Sequence, residues 1–184
     1  MDNDDSSCSA PMVTPDADAK PMTATAPNTP PKNDVPVLLT DFDGVFHALA
    51  EPVLDESFRL IDNPRLFLWV PILCEILAPF PDVKIIVSSD WRRIVDDENL
   101  VRLLGPVGNR FVGVMESYGG SRADEIKTEV RRRNLTRWLA IDDHPTVQVA
   151  SRKNWRFIPC HPESGLSCER VQQELERKLN RLTA

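Results

Sequence analysis

A short apolar strand that ends in two aspartates constrains this chain more than any other feature. Residues 37–45 read Val-Leu-Leu-Thr-Asp-Phe-Asp-Gly-Val, and the first four favour a buried β-strand. Asp41 and Asp43 are two positions apart, so a strand would project both carboxylates to the same side. Two like charges held that close are costly unless a cation or a shared proton joins them. An oxygen-preferring ion such as Mg²⁺ fits this pair, although Asp-Gly is also a common turn.

Composition limits the class of protein. The chain has 184 residues, of which 41% are apolar, enough for one domain with a sizeable core. Its net charge of −6 argues against a globally basic nucleic-acid binder. The four cysteines lack close pairing, which favours a reduced cytoplasmic protein. Neither a secretory signal nor a long apolar run is present, so we expect no membrane span.

The start of the chain differs in composition from the rest. Residues 1–34 are rich in Pro, Asp, Ser and Thr and contain almost no large aliphatic side chains. Such a segment cannot bury enough apolar surface to fold, so we expect a disordered tail. The folded domain is then predicted to span residues 35–184.

Beyond the first strand, β-branched runs alternate with helical segments. Further strands are predicted over Val83–Ser88, Phe111–Met115, Trp138–Ile141 and Arg156–Pro159. Helices are predicted over Pro71–Ala78, Arg92–Leu104, Arg122–Arg133 and from the cap Ser167 to Leu182. This alternation predicts an α/β fold with a Rossmann-like, doubly wound, mostly parallel sheet of about five strands flanked by helices.

Polar side chains follow the strand ends, or begin a helix, at points that a parallel sheet would place on one rim. They are Asp41, Asp43, Ser88, Ser89, Arg122, Asp142 and Asp143. A hydroxyl, a cation and two carboxylate pairs suit phosphoryl transfer. Asp41 is the candidate nucleophile for an acyl-phosphate, and Asp43 is the candidate general acid and base.

The other rim residues are predicted to bind metal and phosphate. Asp142 and Asp143 would complete, with Asp41 and Asp43, an oxygen cage for Mg²⁺. The phosphoryl oxygens would be bound by Arg122 together with a serine hydroxyl. Ser88 and Ser89 are both candidates, because the end of a strand is predicted only to within a few residues.

These residues together resemble the four motifs of the haloacid dehalogenase-like (HAD) superfamily. The resemblance covers about Val35–Pro159 in the family's order, from Asp-Phe-Asp-Gly-Val at 41–45 to Leu-Ala-Ile-Asp-Asp at 139–143. Ser-Ser-Asp-Trp-Arg at 88–92 and Arg-Ala-Asp-Glu-Ile at 122–126 also resemble a small branch that includes domains associated with RNA-repair proteins.

The resemblance implies roles for individual residues. Asp41 would be the nucleophile, Asp43 the general acid and base, and Ser89 the phosphate-binding hydroxyl. Asp142 and Asp143 would form the metal-holding pair. Because dehalogenating relatives do not need an acid at the position of Asp43, its presence favours hydrolysis of phosphate esters.

One departure from the family pattern bears on this assignment, and the lack of a cap bears on the substrate. The third motif is most often lysine in the family, whereas the best-placed cation here is Arg122, with Lys127 as the alternative. Arginine keeps its charge and binds phosphate through two donors. The intervals between the motifs leave no room for a separate cap domain, which implies an open site suited to a macromolecule or one closed by a partner subunit.

The sequence therefore predicts a Mg²⁺-dependent phosphatase with a phosphorylated substrate, nucleic-acid ends included. The alternative is a non-catalytic HAD-like module that binds phosphorylated or nucleic-acid ligands. His47 and His144 lie near the predicted rim, although a lone histidine beside a turn is more often a surface residue. Trp91 suits either the core or a stacking contact with substrate.

Overall fold

The computed structural model describes residues 34–56 and 61–184. The predicted tail, residues 1–34, lies outside the described residues apart from Asp34 and stays a prediction. The strands are β1 Val37–Thr40, β2 Lys84–Val87, β3 Phe111–Val114, β4 Trp138–Asp142 and β5 Phe157–Pro159. The α-helices are α1 Val70–Leu77, α2 Asp97–Leu103, α3 Arg122–Arg132, α4 Pro145–Ser151 and α5 Glu169–Thr183. None of the described helices is long and apolar enough to cross a membrane.

The five strands form one parallel sheet in the order β3-β2-β1-β4-β5, which confirms the predicted α/β fold. β1 is central and buried along its whole length, so successive residues enter different cores. Leu38 belongs to the core that contains Leu73 of α1 and Leu179 of α5. Leu39 belongs to the core formed with α3 and α4. No separate cap domain is present within the described ranges.

The predicted helix Arg92–Leu104 is wrong in its first half. A 3₁₀ turn covers Asp90–Arg93, and α2 begins only at Asp97. Two separate caps explain this break. The Ser89 hydroxyl accepts a bond from the Trp91 amide, and the Asp96 carboxylate accepts one from the Asn99 amide. The other predicted helices and strands agree with the observed ones to within two residues. The predicted cap of the last helix is wrong, because Cys168 precedes α5 and the Ser167 hydroxyl donates to the Ser164 carbonyl instead.

The short helix α4 was not predicted from the sequence. The His144 side chain accepts a bond from the Thr146 amide, and Pro145 occupies the first turn. Histidine is not among the preferred capping residues, whereas proline at the first position is a known signal for a helix start. α4 follows β4 directly, so it sets the direction in which the chain leaves Asp142 and Asp143.

Candidate active site

The first aspartate after β1 is buried and held by several groups. Asp41 is 6% exposed, and its Oδ1 accepts a bond of 2.8 Å from the Phe42 amide. The Ser89 side chain is close enough to Asp41 to lower the pKa of its carboxyl group. On the other oxygen, Oδ2 lies 3.9 Å from Nη2 of Arg122. The carboxylate therefore has a fixed orientation beside a cation.

The aspartates that end β4 lie next to Asp41, because β4 pairs with β1 in parallel. Asp41, Asp142 and Asp143 each offer an oxygen, and these oxygens lie within 4.8 Å of one another. Oδ1 of Asp142 accepts a bond from the His144 amide at 2.8 Å. Its Oδ2 is buried and has no hydrogen-bond partner among the described residues, although Nε of Arg122 lies 3.5 Å away.

The negative charges of the three carboxyl groups are not fully balanced by a neighbouring positive charge. Burial raises the pKa of Asp41, and the Arg122 guanidinium opposes this effect. Burial and the charge of Asp41 raise the pKa of Asp142 well above its usual range. The same two causes raise the pKa of Asp143 to about 6. The cluster thus has more negative groups than Arg122 can balance.

Such a donor set fits a hard divalent cation. Asp41, Asp142 and Asp143 supply carboxylate oxygens, and Oδ2 of Asp142 accepts no hydrogen bond in the described part of the chain, although it faces Arg122 at 3.5 Å. Mg²⁺ prefers oxygen ligands of this kind. These three residues are therefore the ones that would hold it.

Asp43, the fourth predicted metal ligand, has different neighbours. Its Oδ1 lies 3.0 Å from Nε2 of His47. The indole nitrogen of Trp91 donates to both carboxylate oxygens of Asp43, at 3.0 and 3.1 Å. The structure thus brings Asp43 to the same rim but joins its side chain to the ring nitrogens of His47 and Trp91.

His47 and Trp91 were incompletely identified from the sequence. The expectation of a surface histidine is wrong for His47, which is 1% exposed. Trp91 is buried as a core residue would be, yet its nitrogen reaches Asp43. The four-residue spacing between Asp43 and His47 was a usable signal for their contact, whereas no local signal pointed from Trp91 to a residue 48 positions away.

Arg122 is the cation that reaches the carboxylates. It is the first residue of α3, and it also lies 3.5 Å from Asp90. Burial alone would lower its pKa, but the charges of Asp41 and Asp142 raise it. Lys127 is instead paired with Asp124 at 3.1 Å on the exposed face of α3.

The two candidate serines differ in their contacts. The Ser89 hydroxyl accepts a bond from the Trp91 amide and lowers the pKa of the nearby Asp41. The Ser88 hydroxyl is buried and unpartnered within residues 34–56 and 61–184. The backbone oxygen of Ser88 accepts bonds from Arg122 and, at 2.7 Å, from Arg92. Both serines lie at the carboxyl end of β2, so both remain candidates for binding phosphate.

The glycine that follows Asp43 leaves room for the Asp143 carboxylate beside the first aspartate loop. Gly44 has φ +65°, and a Cβ there would lie 2.2 Å from Oδ2 of Asp143. A cleft of about 240 Å³ opens over this region, lined by Asp41, Asp43, Arg122 and Asp143 among others. Larger clefts of about 490 and 480 Å³ run along α5 and between α3 and α4, but neither contains Asp41 or Asp43.

A parallel sheet with acidic residues after β1 and β4 and a cation at the start of α3 has the organisation of a HAD-like domain. Residues 37–171 match the sequence profile of the family described as "HAD domain in Swiss Army Knife RNA repair proteins", and the chain belongs to this family. No curated protein gives a significant match.

Proposed function

We propose that the protein is a Mg²⁺-dependent phosphomonoester hydrolase that forms a phosphoryl intermediate on Asp41. Membership of a HAD family supports a hydrolase or phosphatase class. The observation that carries the proposal is the position of Asp41, buried between the Arg122 guanidinium and the carboxylates of Asp142 and Asp143. A nucleophilic carboxylate next to a phosphate-binding cation is what phosphoryl transfer requires.

The reaction proposed has two displacements. An oxygen of Asp41 attacks phosphorus, the ester P–O bond breaks, and Asp43 gives its proton to the leaving oxygen. Asp43 then takes a proton from a water molecule that attacks the phosphoryl group, which releases inorganic phosphate and restores Asp41. Arg122 and a serine hydroxyl bind the phosphoryl oxygens throughout. Bound Mg²⁺ would supply the positive charge that lets the carboxylates and the phosphate lie side by side.

The substrate class follows from access to the cleft. Without a cap domain among the described residues, the cleft over Asp41 is open, which suits a phosphate on a macromolecule. The family description refers to RNA repair, so we propose phosphorylated nucleic-acid ends as the first substrates to test. We also propose a reducing, cytoplasmic setting, because the described cysteines Cys74, Cys160 and Cys168 are free thiols.

Hydrolysis assays on matched variants test the proposal. An aryl phosphate and a phosphorylated oligonucleotide would be incubated with the native chain, Asp41→Asn and Asp43→Asn, with and without Mg²⁺. The exposed Asp124→Asn, outside the cleft, is the control. We expect turnover that requires Mg²⁺ and disappears in the first two variants alone. Ligand binding without turnover, unchanged in Asp41→Asn, would instead identify a non-catalytic binding module.

A further inference from the structure

The side chain of Asp43 is held by two donors that come from different parts of the chain. His47 lies four residues further along the same loop, and Trp91 lies in the 3₁₀ turn after β2. Both side chains are almost completely buried, at 1% and 4% exposure. Asp43 itself is 29% exposed at its side chain and lines the cleft. Two buried groups thus hold the Asp43 carboxylate on its core side, while its exposed side faces the cleft.

The backbone assigns the proton on His47. Nδ1 of His47 accepts a bond of 3.4 Å from the Phe67 amide, so this nitrogen carries no proton in the neutral ring. The proton then resides on Nε2, which donates to Asp43. Trp91 can only donate. Neither neighbour can accept a proton from Asp43 in this arrangement.

Aromatic packing keeps both donors in place. The Phe67 ring lies 5.0 Å from the rings of both His47 and Trp91, in edge-to-face contacts. Phe42, between the two aspartates, packs 5.4 Å from Phe67 and 6.3 Å from Trp91. Rotation of either donor would disturb this cluster, so the orientation of Asp43 is set by the core.

We propose that His47 and Trp91 are positioning residues that direct the proton of Asp43 towards the leaving group. Within the described residues, Oδ1 of Asp43 accepts from both donors, whereas Oδ2 accepts only the longer arm of the Trp91 bond. Oδ2 therefore accepts fewer hydrogen bonds than Oδ1, and the proposed transfer uses a proton on Oδ2. The proton passes from Oδ2 to the bridging ester oxygen as the P–O bond breaks. This role rests on the proposed phosphatase function.

Leaving-group dependence separates this role from a purely structural one. An alkyl phosphate needs proton donation to its leaving oxygen, whereas an activated dinitrophenyl phosphate needs little. We expect Trp91→Phe and His47→Leu to lower kcat/KM for the alkyl ester about tenfold or more. The loss for the dinitrophenyl ester should stay within about threefold, because its leaving group departs without a proton. Asp43→Asn should show the same leaving-group pattern in kcat/KM more strongly, while its kcat should be lost on both esters because Asp43 also activates the water.

Two further variants sharpen the test. His47→Gln places an amide N–H near the position of Nε2 and should restore most of the alkyl-ester activity that His47→Leu loses. Trp138→Phe is the matched control, because Trp138 is also buried, at 6% exposure. It lies at the start of β4, at the amino ends of the strands and opposite the rim that carries the aspartates. This control variant should affect both esters equally. Thermal melting of every variant shows whether each one is folded.

The outcomes distinguish the two proposals. Equal losses on both esters in Trp91→Phe and His47→Leu, or no loss on either, would overturn the positioning role and leave the phosphatase standing. A native chain that hydrolyses neither ester nor a phosphorylated oligonucleotide, with Mg²⁺ present, would overturn the phosphatase and the positioning role together.

Discussion

Two buried acidic sites, the single Glu129 and the three aspartates of the rim, differ in how their negative charges are balanced. Glu129 on α3 is fully buried, and its carboxylate accepts bonds from Tyr118, Arg132 and Arg133. Burial works against its charge, but these bonds lower the pKa of Glu129 to about 2. At the rim formed by the aspartates after β1 and at the end of β4, burial prevails instead and the pKa values of Asp41, Asp142 and Asp143 are raised.

The difference separates a structural acid from a functional cluster. Both carboxylate oxygens of Glu129 accept hydrogen bonds. Arg133, one of the donors, also donates to the carbonyl of Val114 on the edge strand β3. These bonds link the end of α3 to the sheet. The three aspartates share one nearby guanidinium and leave an oxygen of Asp142 unpaired within the described chain. Such an arrangement costs stability and gains affinity for a cation.

Gly44→Ala should have the largest effect, and it acts on the cluster of Asp41, Asp142 and Asp143. The new Cβ would collide with the Asp143 carboxylate at a backbone position of φ +65°. We expect about a hundredfold loss of Mg²⁺-dependent turnover from the displaced ligand, together with weaker Mg²⁺ binding in calorimetry. Gly119→Ala is the matched control, because its φ of +72° carries the same strain with nothing within 4 Å of a Cβ. Equal losses of turnover in both variants would show that backbone strain, and not the collision with Asp143, causes the effect.

Glu129→Gln should have the next largest effect, on stability. Removing the charge leaves Arg132 and Arg133 without their buried partner, and we expect the free energy of unfolding to fall by about 2 kcal/mol. Urea titrations measure this change, and kcat per folded molecule should not change. An unchanged unfolding midpoint would show that the cluster does not stabilise the fold.

Acid titration tests the same residue by linkage. The pKa of Glu129 is about 2 in the folded chain against an ordinary value of 4.5. Its contribution is therefore complete above pH 4.5 and is lost as the pH falls through about 2. The loss of stability on acidification should be smaller in Glu129→Gln than in the native chain.

The stability contributed by the aspartate cluster should show the opposite pH dependence, with a smaller effect. The pKa of Asp143 is about 6 against an ordinary 3.8, so without metal its contribution to stability falls as the pH rises through about 6. Mg²⁺ binds the ionised carboxylates and offsets this loss. We expect Mg²⁺ to raise the melting temperature by a few degrees more at about pH 8 than at about pH 5. An equal rise in melting temperature at both pH values would contradict the claim that Mg²⁺ offsets the charge of the ionised carboxylates.

Lys127→Gln should have the smallest effect, since Lys127 lies outside the cluster and pairs with the exposed Asp124. We expect kcat/KM to change by less than about twofold, which corresponds to a surface ion pair. Arg122→Gln, in the same assay, should lose most of its activity. The reverse order would show that Lys127 is the third-motif cation.

The strands and the acidic rim followed from local sequence patterns. β1 and β4 are apolar runs that end in aspartates, and parallel pairing brings those ends together without further information. Asp41, Asp142 and Asp143 were therefore predictable as neighbours. Arg122 was predictable for a similar reason, because it starts a helix whose amphipathic pattern is plain in the sequence.

The second aspartate was not predictable in the same way. The orientation of Asp43 depends on Trp91, which is distant in the sequence, and on the packing of Phe67 between two rings. The residue Phe67 itself has φ +59°, a conformation that no sequence pattern indicated. Tertiary packing of this kind decides side-chain direction after the strands are placed.

Detection of a phosphoryl group on Asp41 tests the central claim most directly. The native chain would be mixed with a phosphate ester and Mg²⁺, quenched in acid, and digested, and the peptide that contains Asp41 would be analysed by mass spectrometry. We predict a phosphorylated, hydroxylamine-sensitive Asp41 that is absent from Asp41→Asn and from samples without Mg²⁺. Turnover with no phosphoryl group on this peptide, or with Asp41→Asn still active, would contradict the proposed mechanism.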